Sequence, residues 1–142
     1  MTKVRVERSY SYPAEAVWAL IGDFGGLHRW HPYVRRLDLS WEGRIRTLHF
    51  HDGSRAVEQL EARSDEVRRY VYALVDGELP VQHCRAALEV YECDAGCRVA
   101  WCAEFEPHGA SSRVARQQLG QFYDAGLATL AGALHTPGPA GP

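Results

Sequence analysis

The chain has 142 residues, 46% of them hydrophobic and 24% charged, with a net charge of −2 and a pI near 6.4. That length fits one domain, in which roughly 68% of the surface exposed by the unfolded chain becomes buried. The charge balance lacks the basic excess of a nucleic-acid binder, and no apolar run is long enough to span a membrane.

Val4 and Val6 alternate with Arg5 and Glu7, which predicts a first strand near residues 3–10. Its polar start lacks a signal-peptide core, so a cytoplasmic protein with reduced thiols is expected. Pro13 suits the first position of a helix, and Glu15 complements its N-terminus. Val17, Trp18, Leu20, Ile21 and Phe24 supply an apolar stripe at helical spacing. Gly25-Gly26 then reads as a flexible hinge, followed by a second short helix carrying Trp30 and His31 and stopped by Pro32.

From there the pattern is strand-like, near 34–41, 44–51, 55–63, 68–75, 82–92 and 97–106. Glu42-Gly43, Asp52-Gly53-Ser54, Ser64-Asp65-Glu66, Asp76-Gly77-Glu78-Leu79-Pro80 and Asp94-Ala95-Gly96 are turn chemistry. Such short connections imply antiparallel neighbours. Residues 111–134 return to helical period, with Leu119, Phe122, Tyr123, Gly126, Leu127, Leu130 and Leu134 on one broad face. A single domain over 1–135 is expected, and 136–142, rich in Pro and Gly, reads as a disordered tail. The predicted class is α+β: a seven-stranded antiparallel sheet curled around a long C-terminal helix, closed at one end by two short helices and hollow inside.

Several residues carry a resemblance. They are Pro13-Ala14-Glu15-Ala16-Val17-Trp18, Asp23-Phe24, Leu27, Trp30-His31-Pro32, Arg46-Thr47-Leu48, Asp52-Gly53, Glu58, Tyr70-Val71-Tyr72, Pro80-Val81, Trp101, Phe105 and the Tyr123/Gly126-Leu127/Leu130 helix. Together, over about residues 3–134, the chain resembles the polyketide cyclase/dehydrase and lipid-transport group of the START-related, birch-pollen-allergen-like (SRPBCC) superfamily. The resemblance implies a helix-grip fold with a deep hydrophobic pocket between sheet and long helix. It leaves the activity open among cyclases, aromatases, hydrolases, lipid carriers and hormone binders. Such members often carry a tyrosine where this chain has Cys84.

Strand alternation sorts side chains by face. The inward sets are Arg46, Leu48 and Phe50; Glu58, Leu60 and Ala62; Tyr70, Tyr72 and Leu74; Cys84, Ala86, Leu88 and Val90; and Val99, Trp101, Ala103 and Phe105. Thr47, His49 and His51 then face outward. A three-residue loop, Asp52-Gly53-Ser54, would pair His51 with Arg55, set Leu48 opposite Glu58 and leave Arg46 diagonal to Glu58, about 7–8 Å away. Leu119 and Tyr123 would join the pocket from the helix, and Asp23, Trp30 and His31 from the lid.

The pocket wall is thus apolar except for Arg46, Glu58, Tyr70, Tyr72 and Cys84. A buried charge needs a partner or solvent, so Arg46 and Glu58 are either a structural ion pair or ligand contacts. In the catalytic reading Glu58 carries protons, while Arg46 and the Tyr70 or Tyr72 hydroxyl, Tyr72 being the leading choice, stabilise an enolate. No cofactor or metal is expected. His31 is either an acid or base at the mouth or a local structural support. His49 and His51 lack the fixed-spacing partners of a metal site, Cys93 and Cys97 lack a second pair, and Cys84 reads as an inert thiol. A cyclase/dehydratase acting on a polyketide-like carbonyl substrate is the leading reading; a non-catalytic carrier or sensor of a lipid or aromatic ligand is the alternative. The expected partner is a hydrophobic small molecule. A homodimer is compatible with the sequence; nucleic acid and stable membrane insertion are not expected.

Overall fold

The computed structural model describes residues 1–135; the predicted tail, 136–142, lies outside them. The strands are β1 (Thr2–Tyr10), β2 (Val34–Ser40), β3 (Ile45–Phe50), β4 (Arg55–Ser64), β5 (Arg69–Gly77), β6 (Val81–Cys93) and β7 (Gly96–Pro107). The helices are α1 (Ala14–Ile21) and α2 (Ser112–His135), and Leu27–Arg29 form one 3₁₀ turn. All strands join one antiparallel sheet in the order β1-β7-β6-β5-β4-β3-β2. Every neighbour from β2 to β7 is joined by a short connection. β1 instead crosses to pair with β7, Val4 opposite Ala103 and Val6 opposite Trp101. The helix α2 rests on β1 and β7. Beneath its first half, the strands β3, β4 and β5 lean away, and a hollow is left between them and the helix.

The second short helix of the sequence reading is a single 3₁₀ turn. A residue preceding proline is pushed out of helical geometry, so Pro32 prevents a helix from running through His31. The glycines before it also differ from a free hinge. Asp23 Oδ1 accepts the Gly25 N–H at 3.0 Å, and Asp23 Oδ2 is held by Arg29 Nη1 at 3.2 Å. A Cβ at Gly25 would stand 2.7 Å from Leu39 Cδ1. Gly25 is therefore a close-packing position, where a side chain would push the exposed Leu39 side chain aside.

The β3–β4 hairpin turns one residue earlier than expected. Phe50 N–H donates to Ser54 O at 2.9 Å and Gly53 N–H to Phe50 O at 3.0 Å, so the loop is His51-Asp52-Gly53. Gly53 has φ +91°, the left-handed position that closes a three-residue hairpin and that glycine adopts without strain. Moving the turn by one residue shifts the register by two, which keeps every side chain on its face. Its consequence is that Arg46 lies directly opposite Glu58, and Leu48 opposite Ala56. Two further irregularities matter. A bulge between Leu60 and Ala62 turns Ala62 to solvent, against the expected alternation. In β6, His83 (φ +52°) sits in a bulge that leaves it exposed; Cys84 keeps the inner face of Ala86, while the phase shifts before the bulge and Val81 is buried.

Candidate functional site

The hollow is a cavity of about 580 Å³. Leu48 and Phe50 of β3, Ala56 and Glu58 of β4, Tyr72 and Leu74 of β5, and Cys84 of β6 form its sheet wall. Leu119, Phe122 and Tyr123 form the helix wall. The mouth is polar, with His51, Asp52, Ser54 and Arg55 from the β3–β4 hairpin, Glu78 and Leu79 from the β5–β6 loop, and Gln118 and Gln121 from α2.

Among the described residues, Glu58 is the one charged side chain of the inner wall, and Arg46 stands behind it. The guanidinium is fully buried and does not line the cavity. Its Nε donates to Glu58 Oε1 at 2.8 Å, and its Nη1 donates to the Phe24 carbonyl at 3.0 Å and to the Tyr70 hydroxyl at 3.3 Å. Its Nη2 lies 2.8 Å from the same Glu58 oxygen but is not aimed to make a hydrogen bond. The rings of Phe24 and Tyr72 lie against the cation, with centroids 4.1 Å and 4.8 Å from Cζ. Burial works against this charge, but Tyr70, Glu58 and Tyr72 outweigh it and hold Arg46 protonated.

Burial raises the Glu58 carboxyl above its ordinary pKa, while the charge and hydrogen bond of Arg46 pull it back only in part. Glu58 Oε2 accepts no hydrogen bond from the described residues. Beside it, with the Tyr123 hydroxyl as a hydrogen-bonding neighbour, the Tyr72 phenol accepts from Trp101 Nε1 at 3.0 Å. Burial and then the Glu58 charge drive that phenol well above its usual range. Trp101 stacks on Tyr123 with centroids 4.4 Å apart, so the Tyr72 hydroxyl is fixed from behind by packed rings. Cys84 is pushed up to about 12 by burial and by Glu58, which makes it a neutral thiol.

Seven of the residues expected at the site line the cavity: Glu58, Tyr72, Leu48, Phe50, Cys84, Leu119 and Tyr123. Arg46 and Tyr70 lie one layer behind. Trp101 is also behind, supporting Tyr72 and Tyr123. Ala86, Leu88 and Phe105 are buried core residues away from the cavity, and Leu60 is half-buried against the core. Asp23 is on the surface with Arg29.

His31 and Trp30 are packed rather than presented. The His31 ring stacks on Phe122 at 4.0 Å, its Nε2–H donates to the Phe122 carbonyl at 2.7 Å and its Nδ1 accepts the Tyr33 N–H at 3.1 Å. Both nitrogens are used by a neutral ring, and burial lowers its pKa to about 4. His31 thus ties the 3₁₀ turn to α2, and Gly126 makes the approach feasible, since a Cβ there would stand 2.5 Å from His31 Cδ2.

The sequence reading missed the mouth. His51, expected outward, sits in the hairpin loop at the rim, because the loop began one residue earlier. Asp52, Arg55, Glu78, Gln118 and Gln121 were hidden because alternation assigns a face but not a depth along the sheet. For Asp52, Arg55 and Glu78 the signal is proximity to the two turns at one end of β3, β4 and β5; Gln118 and Gln121 come from α2. Among the described residues, no group of three or more His, Cys, Asp or Glu side chains could hold a metal ion, and no helix is long and apolar enough to cross a membrane.

This site can hold a hydrophobic molecule with one polar end against Glu58 and Tyr72. The fold has many solved counterparts. The protein XoxI from Bacillus cereus is 30% identical, with a TM-score of 0.91 over 94% of this chain and 96% of the other. A protein from Thermobifida fusca is 33% identical, with a TM-score of 0.82 over 94% and 93%. The Zhui aromatase/cyclase from Streptomyces sp. R1128 shares the fold at 16% identity, with a TM-score of 0.72 over 93% and 90%. None of the curated proteins matches the chain. A family model described as polyketide cyclase/dehydrase and lipid transport matches residues 1–135. The chain belongs to that family of SRPBCC-type, helix-grip proteins, whose members take hydrophobic small molecules.

Proposed function

We propose that this protein takes a reactive, hydrophobic carbonyl compound into the cavity and promotes its cyclisation or dehydration, with Glu58 as the proton carrier. The observation that supports this reading is a carboxyl group in an otherwise apolar wall, with one oxygen held by Arg46 and the other unpartnered. Glu58 takes a proton from a methylene next to a carbonyl, and the Tyr72 hydroxyl donates a hydrogen bond to the oxygen that becomes the enolate. The enolate carbon then attacks a second carbonyl of the same chain, and the new alkoxide takes the proton back from Glu58. In dehydration the second half differs. The enolate expels the β-hydroxyl, which leaves as water with the Glu58 proton. Each sequence returns Glu58 to its starting state. Folding the chain so that its reactive carbons meet can supply roughly 7–11 kcal/mol of barrier lowering. Arg46 acts by positioning Glu58 and holding it charged, not by touching the substrate.

Glu58→Gln keeps the shape and removes the proton carrier. Turnover of a poly-β-carbonyl mimic should fall about 10²–10⁴-fold, the range for loss of a general base. A wild-type rate in that variant would rule out the role of Glu58.

A second reading, carriage of an unreacted lipid or aromatic ligand, is favoured by the same placement of Arg46. Among the described residues no cation reaches the inner wall to stabilise an enolate, which leaves that task to Tyr72. Native mass measurement of the purified protein separates the readings: an intact hydrophobic ligand that survives purification and is never converted supports carriage.

A further inference from the structure

We propose that the cavity selects a ligand with a neutral hydroxyl, a phenol or an enol, and rejects the matching carboxylate. The inference rests on the cavity being the ligand site, but not on any reaction there.

The inner wall offers two unused hydrogen-bonding positions. Glu58 is more than nine-tenths buried, and its Oε2 is an acceptor with no donor. The Tyr72 oxygen accepts from Trp101 and, with the Tyr123 hydroxyl donating to it as well, keeps its own proton for a ligand. A single hydroxyl answers both, donating to Glu58 and accepting from Tyr72. A carboxylate can accept from Tyr72, but its other oxygen meets Glu58 with no proton between them. Like charges this close repel.

Among the described residues, no cation on the wall can bond an anion directly, although Arg46 behind Glu58 offsets part of the repulsion. Arg46 is sealed behind Glu58, and each well-formed hydrogen bond it makes goes to the protein. Reversing the ligand does not help. At the mouth, Arg55 is engaged by Asp76 at 3.2 Å, and Asp52 and Glu78 add negative charge. An ionised headgroup therefore finds acid at either end, whereas a phenol loses nothing. The charge pattern separates alcohols, phenols and enols from free fatty and aromatic acids.

Titration calorimetry at neutral pH with 2-naphthol and 2-naphthoate tests this, because the two differ in the charged group and little in ring size. 2-Naphthol should bind at least about tenfold more tightly, the effect of one unfavourable charged contact. Glu58→Gln should narrow that ratio toward one by removing the repelling charge. Tyr72→Phe leaves the Arg46–Glu58 pair intact and should weaken 2-naphthol about five- to tenfold, which keeps a test available if the Glu58 variant misfolds. Equal or tighter binding of 2-naphthoate to the wild-type protein overturns the charge selection while leaving the cavity as a ligand site. A naphthol preference unchanged in both variants overturns the assignment to Glu58 and Tyr72. Binding of neither compound overturns the proposal together with the ligand site beneath it. Loss of turnover on Glu58→Gln is a separate readout, so the fate of the proton-carrier reading is decided independently.

Discussion

Removing either half of the Arg46–Glu58 pair should cost very different amounts from removing both. Glu58→Leu strands a guanidinium that is fully buried and that cannot release its proton. Breaking a buried pair in this way costs about 3–5 kcal/mol. The Phe24 and Tyr72 rings and the Phe24 carbonyl still face the cation, which places the expected loss near the lower bound, about 3 kcal/mol. Arg46→Met leaves Glu58 beside the cavity, where it can take up a proton instead. In that variant the folded-state pKa, already raised in the native protein, rises further above the ordinary value of 4.5. The folded state then holds a proton that the unfolded state has lost. Stability is greatest below pH 4.5 and falls as pH rises, by about 1.4 kcal/mol per pH unit, until the folded pKa is passed. Arg46→Met/Glu58→Leu removes both charges and fills the space with apolar atoms. It should lie within about 1 kcal/mol of the native protein, because buried pairs are commonly replaceable by hydrophobic residues. Urea unfolding at constant slope measures all four proteins. Single losses that simply add in the double variant would refute the argument, since they would mean the two charges do not neutralise each other in the interior.

Two other expectations follow from the link between the 3₁₀ turn and α2. His31 is neutral in the folded protein down to about pH 4 but titrates near 6.5 when unfolded, so the unfolded state binds the extra proton between those values. Stability should be fully present above 6.5 and fall by about 3 kcal/mol as pH drops to about 4; thermal melting across that window checks it, and a His31→Gln variant should lack that part of the acid loss. Gly126→Ala would gain about 1 kcal/mol of helix propensity on an exposed helix. Here the new methyl meets a ring held by stacking and by two hydrogen bonds, and Trp30 Cζ3 stands 3.1 Å from it as well. Overpacking of this kind costs about 1–3 kcal/mol, so Gly126→Ala should destabilise the protein, and a raised melting temperature would contradict the packing.

Much of the fold is written in short-range patterns. The apolar spacing of Val17, Trp18 and Ile21 marks α1, and alternation marks every strand within about two residues. Parity put Glu58, Tyr72, Leu48 and Cys84 on the inner face, and that held even though the β3–β4 turn was misplaced by one residue. The failures came where local geometry breaks the period. The bulge at Leu60–Ala62 reversed a face, and the proline after His31 shortened a helix. His31 itself looked available from its neighbours, yet its partners are Phe122 and Gly126, far away in the chain.

Which residues can share a face is readable from the chain, because alternation and helical spacing are set by each residue's own backbone geometry. The tertiary structure alone decided depth. Whether an inward side chain meets empty space, like Glu58, or solid protein, like Arg46 and Phe105, depends on where α2 rests. That is settled by the pairing of β1 with β7 and by the curl of the sheet away from the helix, contacts between segments a hundred residues apart. No local pattern records them, so the presence of a charged pair was legible, and which of its members faces the cavity was not.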